Sequence, residues 1–329
     1  MLEYEVLQED WIADKPTILV LTFQRYKHLK EVIKALSGAS EVSNFNVVFL
    51  IQDHKVEILQ LCEMSKFKHK SILRISPPIN WQTYRKINMN MRVGASFIFD
   101  HMKTPWGIFL EDDIKLEKDS LVFFQMVENS FGSNPNYRAT NAFSRMPRKM
   151  DPDESSHFVR LNYGVGWGWS LNLKNYSIIS DYWTGYEKQH WDGFLEPFFR
   201  TGFVVNPWQS RCINIGLEGS GSHTGIQLQL FNEMQESSPY LMRLFRENQI
   251  IEKVDELFEW RDECIQLSGR SSREEHLLYK LQTLYFHSHK NYHLRGRKTL
   301  NFPAFFILSK ITSYYRAKLN EKSVRSTLR

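Results

Sequence analysis

The sequence predicts an α/β fold in which helices flank a central sheet and a helical extension follows at the C-terminal end. Three observations lead to this prediction. Short apolar runs alternate with helical patterns over residues 16–131, which is typical of parallel strands with helices on both faces. Helical periodicity then fades over residues 132–225, where Gly, Pro, Trp and Asn are frequent. It returns over residues 226–285.

Four apolar runs in the first part are predicted as buried strands, because continuous aliphatic and β-branched runs are typical of parallel sheets. They are Thr17–Thr22, Asn46–Ile51, Ile72–Ile75 and Trp106–Leu110. A helical pattern follows each run. The predicted helices are a segment with Leu29, Val32, Ile33 and Leu36 on one face, then residues 56–67, residues 88–99, and a helix that opens at Asp119.

Composition and charge exclude several classes of protein. The chain has 329 residues, of which 42% are hydrophobic and 24% charged, so it is neither disordered nor fibrous. The net charge is +5, but residues 286–329 carry ten Lys and Arg against one Glu, which leaves the other residues at about −4. A nucleic-acid-binding core would be basic, so we expect no nucleic-acid partner.

The cysteines and the N-terminus bear on the compartment. Cys62, Cys212 and Cys264 are far apart and odd in number, so they predict neither a disulfide framework nor a CxxC metal site. The first ten residues are acidic and lack the basic and apolar layout of a secretory signal. We therefore expect a reducing, cytoplasmic location.

Three consecutive acidic residues follow the strand Trp106–Leu110. Glu111, Asp112 and Asp113 would repel one another unless water or a cation neutralised them. Mg²⁺ and Mn²⁺ prefer oxygen ligands, and typically use one or two carboxylates together with phosphate oxygens of a substrate. The turn is therefore a candidate cation site, and a solvated acidic turn is the alternative.

Two further polar residues follow predicted strands. Arg25 comes after the first strand, and its guanidinium suits phosphate, although a surface salt bridge is the favoured interpretation when Arg25 is considered alone. Asp53 comes after the second strand, where an acid commonly binds part of a nucleotide in α/β folds. Because parallel sheets bind ligands beyond the carboxyl ends of their strands, we expect Arg25, Asp53 and the acidic turn to share one site.

Glycine- and tryptophan-rich segments supply further candidates. The segment Tyr163–Trp169 alternates glycines with residues that include Trp167 and Trp169, whose faces either stack on a sugar or lie in the core. Asp192, within His190–Phe194, is a candidate general base or, alternatively, a helix N-cap. The loop Gly216–Gly225 is a candidate for closing over a substrate.

In their order, these motifs resemble those of the N-acetylglucosaminyltransferase I family and its O-mannose-specific relative. That family comprises inverting, metal-dependent glycosyltransferases of the GT-A fold. The resemblance covers residues 16–230. It rests on eight motifs, which are Thr22-Phe-Gln-Arg25, Ile51-Gln-Asp53, Tyr84-Arg-Lys-Ile87, Phe109-Leu-Glu-Asp-Asp113, Gly164-Val-Gly-Trp167, Trp191-Asp192, Arg211-Cys-Ile213 and Ser222-His-Thr-Gly225.

The resemblance implies a GT-A-type, Rossmann-like mixed sheet and a role for each matching residue. Asp113 would bind Mn²⁺, or Mg²⁺, beside the diphosphate, and Asp192 would be the catalytic base. The implied nucleotide-sugar contacts are Arg25, Asp53, Asn90, Glu111, Asp112, Trp167, Trp191 and His223. Of these, Asp53 would contact the uracil, Trp191 would pack on the donor sugar, and Asn90 stands where the family has a uracil-contacting His.

The predicted activity is transfer of a sugar, GlcNAc in the first instance, from a UDP-sugar to a hydroxyl of a glycan or lipid-linked glycan. Two alternatives remain open: a carbohydrate-binding protein without catalysis, and a metal-dependent nucleotidyltransferase acting on sugar phosphates. The predicted catalytic domain is residues 1–225, with a nucleotide-binding part at 16–131 and a sugar and acceptor part at 132–225. A helical extension at 226–285 and a basic, aromatic tail at 286–329 would follow.

The tail has two interpretations. Its apolar stretch, Phe302–Leu308, is flanked by Lys and Arg. This pattern favours peripheral attachment to an anionic membrane surface. A helix packed on the catalytic domain with a solvated basic face is the alternative.

Overall fold

The computed structural model describes residues 4–52, 55–143, 157–161, 167–181, 183–184, 191–199, 201–207, 210–216 and 251–252. All of them lie in the first of two units into which the chain divides, residues 1–257. The basic tail and most of the predicted helical extension lie outside the described residues. So the tail's membrane attachment stays a prediction.

The described residues form twelve strands. These are β1 (Glu5–Gln8), β2 (Thr17–Thr22), β3 (Asn46–Ile51), β4 (Lys70–Arg74), β5 (Trp106–Glu111), β6 (Ile114–Leu116), β7 (Tyr137–Asn141), β8 (His157–Leu161), β9 (Trp169–Asn172), β10 (Phe203–Pro207), β11 (Cys212–Asn214) and β12 (Ile251–Glu252). Strand β12 falls where the sequence predicts helix. That prediction is wrong for these two residues, which pair with β8 because tertiary pairing overrides local propensity.

Six α-helices accompany these strands within the described ranges. They are α1 (Tyr26–Ser37), α2 (Val56–Met64), α3 (Thr83–Ser96), α4 (Ser120–Phe131), α5 (Leu173–Ile179) and α6 (Trp191–Phe199). Helix α3 ends in a π-helical turn, Phe97–His101, and a short 3-10 helix at Val42–Asn44 precedes β3. None of these helices is long and apolar enough to cross a bilayer.

Ten strands form one mixed sheet in the order β1-β4-β3-β2-β5-β9-β7-β10-β8-β12, and β6 pairs with β11 in a separate two-stranded ribbon. Strands β4, β3, β2 and β5 are parallel to one another. Strands β1 and β9 join this parallel part as antiparallel neighbours of β4 and β5. The predicted mixed sheet flanked by helices is therefore confirmed.

The parallel strands form where the sequence predicts them. Every residue of β2 and β3 is buried, as expected for strands covered on both faces. Helix α1 buries the predicted stripe of Leu29, Val32, Ile33 and Leu36. Helix α3, predicted from residue 88, already begins at Thr83.

Helix α3 packs closely on the centre of the sheet because Gly94 has no side chain. A Cβ atom at Gly94 would lie 2.3 Å from Leu19 Cδ2 of β2. This distance is shorter than van der Waals contact allows. The glycine therefore sets the distance between α3 and the strand that leads into Arg25.

The second part of the sheet contains strands that the apolar pattern did not reveal. Strand β7 is entirely buried although it contains Arg138, Thr140 and Asn141. Its polar groups are satisfied locally: Asn141 Nδ2 donates to Asn206 Oδ1 at 2.6 Å, and Asn175 Nδ2 donates to the Tyr137 carbonyl at 2.9 Å. Buried hydrogen bonds replace apolar contacts here, so alternation and apolar runs are not visible in the sequence.

The helices cover both faces of the sheet. One apolar cluster joins β2, β3 and β4 to residues of α3, α5 and α6, and a second joins α4 to β7, β8 and β10. Neighbouring residues of β10, Val204 and Val205, enter different clusters. Successive side chains of a strand point to opposite faces, so the two clusters are the two layers of core.

A buried lysine closes the carboxyl end of α2. Lys70 Nζ donates to the backbone carbonyls of Cys62, Glu63 and Ser65 at 3.0, 2.6 and 2.9 Å. Burial lowers the pKa of Lys70, and the nearby Cys62 and Glu63 oppose that effect. The ammonium group thus provides a charged hydrogen-bond donor to carbonyls at the end of the helix.

Replacing Lys70 should therefore destabilise the fold. We expect Lys70→Met to lower the free energy of unfolding by about 2–4 kcal/mol, because three carbonyls at the helix end lose a charged donor. Urea denaturation measures this change. Lys68→Met, at an exposed position nearby, is the matched control, and equal losses in the two variants would contradict this role of Lys70.

Candidate active site

Three of the predicted site residues, Arg25, Asp112 and Asp113, meet where the order of the parallel strands reverses. From β2 the chain builds outward through β3 and β4, and then returns to add β5 on the other side of β2. Open α/β sheets bind ligands in the crevice beyond the carboxyl ends of strands at such a switch point. Leu21 pairs with Glu111 in register, so the residues that follow β2 and β5 emerge side by side.

A strained turn follows β2. Gln24 adopts φ +52°, in the left-handed region that non-glycine residues rarely occupy. The Phe23 N–H just before it donates to Asp112 Oδ2 at 2.8 Å. Strained backbone of this kind tends to occur at functional sites. Here the turn brings both Phe23 N–H and the Arg25 side chain to the acidic residues after β5.

Arg25 bridges two of the three acidic residues. One guanidinium nitrogen donates to Asp113 Oδ2 at 2.6 Å, and the other donates to Asp112 Oδ1. Asp112 and Asp113 are only 2% and 7% exposed, whereas the Arg25 side chain is 32% exposed. The turn is therefore a half-buried ion-pair network. It is neither a solvated acidic loop nor a simple surface salt bridge.

The carboxylates strongly perturb one another. Burial raises the pKa of Asp112 to about 6, although the Arg25 guanidinium opposes the shift. Burial and repulsion by Asp113 raise the pKa of Glu111 to about 8, and Asp192 is close enough to contribute to that rise. Burial alone would lower the pKa of Arg25, but Asp112 and Asp113 raise it overall. The acidic residues after β5 and Arg25 thus titrate as one coupled group.

The β6–β11 ribbon forms a second wall of the acidic turn. Strand β11 pairs with β6 directly after Asp113, and the Ile215 N–H donates to the Asp113 carbonyl at 2.8 Å. A Cβ atom on Gly216 would lie 2.2 Å from Asp113 Oδ2. This contact joins segments about 100 residues apart and was not predicted. Only Ile213, Asn214 and Ile215 alternate before Gly216, and three residues are too few to predict a strand.

The residues fit a divalent cation at Asp113. Its Oδ1 is buried and has no hydrogen-bond partner among the described residues. The surrounding acids outnumber Arg25, and carboxylate oxygens are the ligands that Mg²⁺ and Mn²⁺ prefer. Within the described ranges no group of three or more His, Cys, Asp or Glu could hold a metal by itself. A cation here would need Asp113 together with oxygens of a bound phosphate.

Asp192 lies in the first turn of α6, where it is exposed to solvent. The helix begins at Trp191, so Asp192 is inside the helix and is not its N-cap. An acidic residue in the first turn is favourable because it faces the positive end of the helix dipole. The exposed position leaves its carboxylate accessible to a substrate hydroxyl.

The tryptophans differ in exposure. Trp191 is 7% exposed and stacks on Trp169, with ring centroids 4.9 Å apart and an interplanar angle of 10°. Trp169 stacks in turn on Phe109 of β5 and is 1% exposed, so it is a core residue. Trp167 is partly exposed and packs on Phe143, with ring centroids 4.5 Å apart. The packing of Trp191 on a sugar stays a prediction, because most of its surface already contacts the core.

Asn90 lies on α3 beside the carboxyl end of β3. Its Nδ2 donates to Gln52 Oε1, and the Gln52 N–H donates to the Thr22 carbonyl at 3.0 Å. Asn90 is therefore positioned by the residue that precedes Asp53. Asp53 and His223 lie outside the described residues, as does most of the loop Gly216–Gly225.

Comparison with solved structures returns glycosyltransferases. S. aureus TarS (residues 1–349) has a TM-score of 0.46 at 11% identity, over 60% of this chain and 59% of that one. A mannosyltransferase from Pyrobaculum calidifontis, solved with GDP-Man and Mn²⁺, has a TM-score of 0.36 at 10% identity, over 54% and 50%. The galactosyltransferase LgtC, solved with donor and acceptor sugar analogues, has 0.37 at 10% identity, over 58% and 72%.

These similarities do not assign the chain to a family. No family model matches it, and the chain spans three fifths or less of the first two of those structures. At these scores and identities, a likeness does not establish a substrate or a mechanism. The chemistry of the site therefore has to follow from its own residues.

The closeness of Gly216 to Asp113 can be tested by substitution. Because the new methyl group would overlap the Asp113 carboxylate, we expect Gly216→Ala to lower the free energy of unfolding by about 1–3 kcal/mol. Chemical denaturation measures the change. The control is Gly38→Ala, where the nearest atoms lie 3.6 Å from the added carbon. If Gly216→Ala is as stable as the control, Gly216 does not abut the acidic turn.

Proposed function

We propose that the protein is a metal-dependent, inverting glycosyltransferase that moves a sugar, GlcNAc in the first instance, from a UDP-sugar to an acceptor hydroxyl. One observation carries the proposal: Arg25 pairs with Asp112 and Asp113 at the switch point of the sheet, and Asp192 of α6 is near enough to contribute to the raised pKa of Glu111. The order of motifs resembling the N-acetylglucosaminyltransferase I family supports it independently.

Residues at the carboxyl ends of β2 and β5 would bind the donor. Asp113 would hold Mn²⁺ or Mg²⁺, and a cation bound there offsets the negative charge that develops on a departing diphosphate. Arg25 can pair with a phosphate in a two-pronged contact. Glu111 and Asp112 can accept hydrogen bonds from sugar and ribose hydroxyls. Asp53 and Asn90 are the proposed contacts to the uracil. Trp167 and His223 are further proposed contacts to the donor.

Asp192 is the proposed general base. The acceptor hydroxyl oxygen attacks the anomeric carbon of the donor sugar while its proton passes to the Asp192 carboxylate. The bond between the anomeric carbon and the β-phosphate oxygen breaks, and UDP leaves with the electron pair. Attack from the face opposite the phosphate inverts the anomeric configuration. Binding donor and acceptor together lowers the entropic part of the barrier.

The acceptor is proposed from the sequence alone. A glycan hydroxyl fits the chemistry of the base, and a lipid-linked glycan would place the basic tail near an anionic membrane.

The donor and the cation can be identified together. We expect the protein to release UDP slowly from one UDP-sugar in a donor screen, with Mn²⁺ required and EDTA abolishing release, because water can replace the acceptor. UDP detection measures the reaction, and calorimetry measures binding. Glycan binding without any nucleotide binding would instead indicate the non-catalytic alternative.

The roles of the acidic residues differ and can be separated. Asp113→Ala should abolish Mn²⁺-dependent turnover. Asp192→Asn should keep UDP binding but lower transfer by about 10²-fold or more, because only the proton acceptor is lost. The comparison is steady-state turnover alongside UDP calorimetry, and Asp181→Asn, at an exposed acid outside the site, is the control. Normal turnover by Asp192→Asn would exclude Asp192 as the base.

A further inference from the structure

The two oxygens of Asp113 are in different situations. Oδ1 is buried and has no partner among the described residues, whereas Oδ2 accepts a hydrogen bond from Arg25 at 2.6 Å. A cation that bound Oδ1 would share the Asp113 carboxylate with the guanidinium on Oδ2. Cation and guanidinium would then place two positive groups on one carboxylate.

Arg25 cannot leave this position by losing its proton. An arginine guanidinium keeps its charge at any ordinary pH. Its side chain is 32% exposed, which leaves it free to turn toward solvent or toward a ligand beyond the sheet edge. A phosphate bound at that edge could pair with the guanidinium through two hydrogen bonds, as a carboxylate does.

We propose that Arg25 is an internal counter-ion that competes with the divalent cation for Asp113 until a nucleoside diphosphate draws the guanidinium away. This inference rests on the proposed function and adds a property to it. Free protein would bind the cation weakly, since the ion must displace Arg25. The diphosphate both attracts Arg25 and exposes Asp113, so nucleotide and cation would bind cooperatively and each would strengthen the other by the same factor.

The competing possibility is that Arg25 prepares the cation site. In that case the guanidinium would orient Asp113 correctly, and its removal would weaken cation binding. Removing Arg25 should strengthen Mn²⁺ binding in the first model and weaken it in the second. The Mn²⁺ affinity measured without nucleotide therefore decides between them.

The test is a titration of the purified full chain with Mn²⁺, in which electron paramagnetic resonance reports the free ion. Arg25→Met removes the guanidinium and keeps an unbranched stem of similar bulk. Without nucleotide, we expect Arg25→Met to bind Mn²⁺ about tenfold more tightly than the wild type. With saturating Mn²⁺, calorimetry should show that the same variant binds UDP more weakly, because a phosphate partner is lost.

A matched variant separates competition from a general charge effect. Lys27→Met removes one positive charge from an exposed position two residues away, and solvent screening should limit its effect on Mn²⁺ affinity to about twofold. Arg25→Lys keeps a charge but cannot bridge two carboxylates, so its Mn²⁺ affinity should fall between the wild type and Arg25→Met. This second variant decides the question if Arg25→Met fails to fold.

The outcomes distinguish this inference from the proposed function. Unchanged or weaker Mn²⁺ binding by Arg25→Met, with UDP and Mn²⁺ still binding the wild type, overturns the counter-ion model alone. An equal increase in Lys27→Met also overturns it. If neither the wild type nor Arg25→Met binds Mn²⁺ in the presence of UDP, and Asp113→Asn behaves identically, both the inference and the proposed function are wrong.

Discussion

The pairing of one arginine with two buried carboxylates is the interaction on which the site depends. Asp112 and Asp113 are held in a low-dielectric environment, where unpaired charges would be costly. Arg25 offsets that cost, and the strained turn at Gln24 places it within reach of both. The sheet supplies the geometry, because Leu21 and Glu111 are neighbours in register and their successors must share the same edge.

Much of the parallel sheet could be predicted from the sequence, since its strands are fully buried and appear as continuous apolar runs. Strands β2 and β3 match the prediction residue for residue. Strand β7 could not be predicted in this way, because Arg138, Thr140 and Asn141 are buried with hydrogen bonds that only the tertiary structure provides. The N-terminal strand Glu5–Gln8 was also missed, because it is short, lies at the sheet edge and is partly exposed.

The candidate site was likewise predictable only in part. Acidic residues after a buried strand were recognisable, because the carboxyl ends of parallel strands are a known place for ligands. The direct contact of Arg25 with Asp113 was not predictable, since pairing with a phosphate and pairing with an acid require the same residue type. The approach of Gly216 to Asp113 was also hidden, because it depends on a pairing between distant segments. The sequence thus indicated the candidate residues, and the tertiary structure determined which of them are in contact.

The β6–β11 ribbon has a consequence for how the molecule matures on the ribosome. Ile114 pairs with Asn214, so the acidic turn gains its second wall from a segment synthesised much later. A nascent chain that has emerged through β5 already contains the four parallel strands, and N-terminal units generally fold first during synthesis. Its carboxylates, however, remain open to water until residues 212–216 arrive. The sheet can therefore form early, whereas the chemistry at its edge is completed only near the end of translation of this unit.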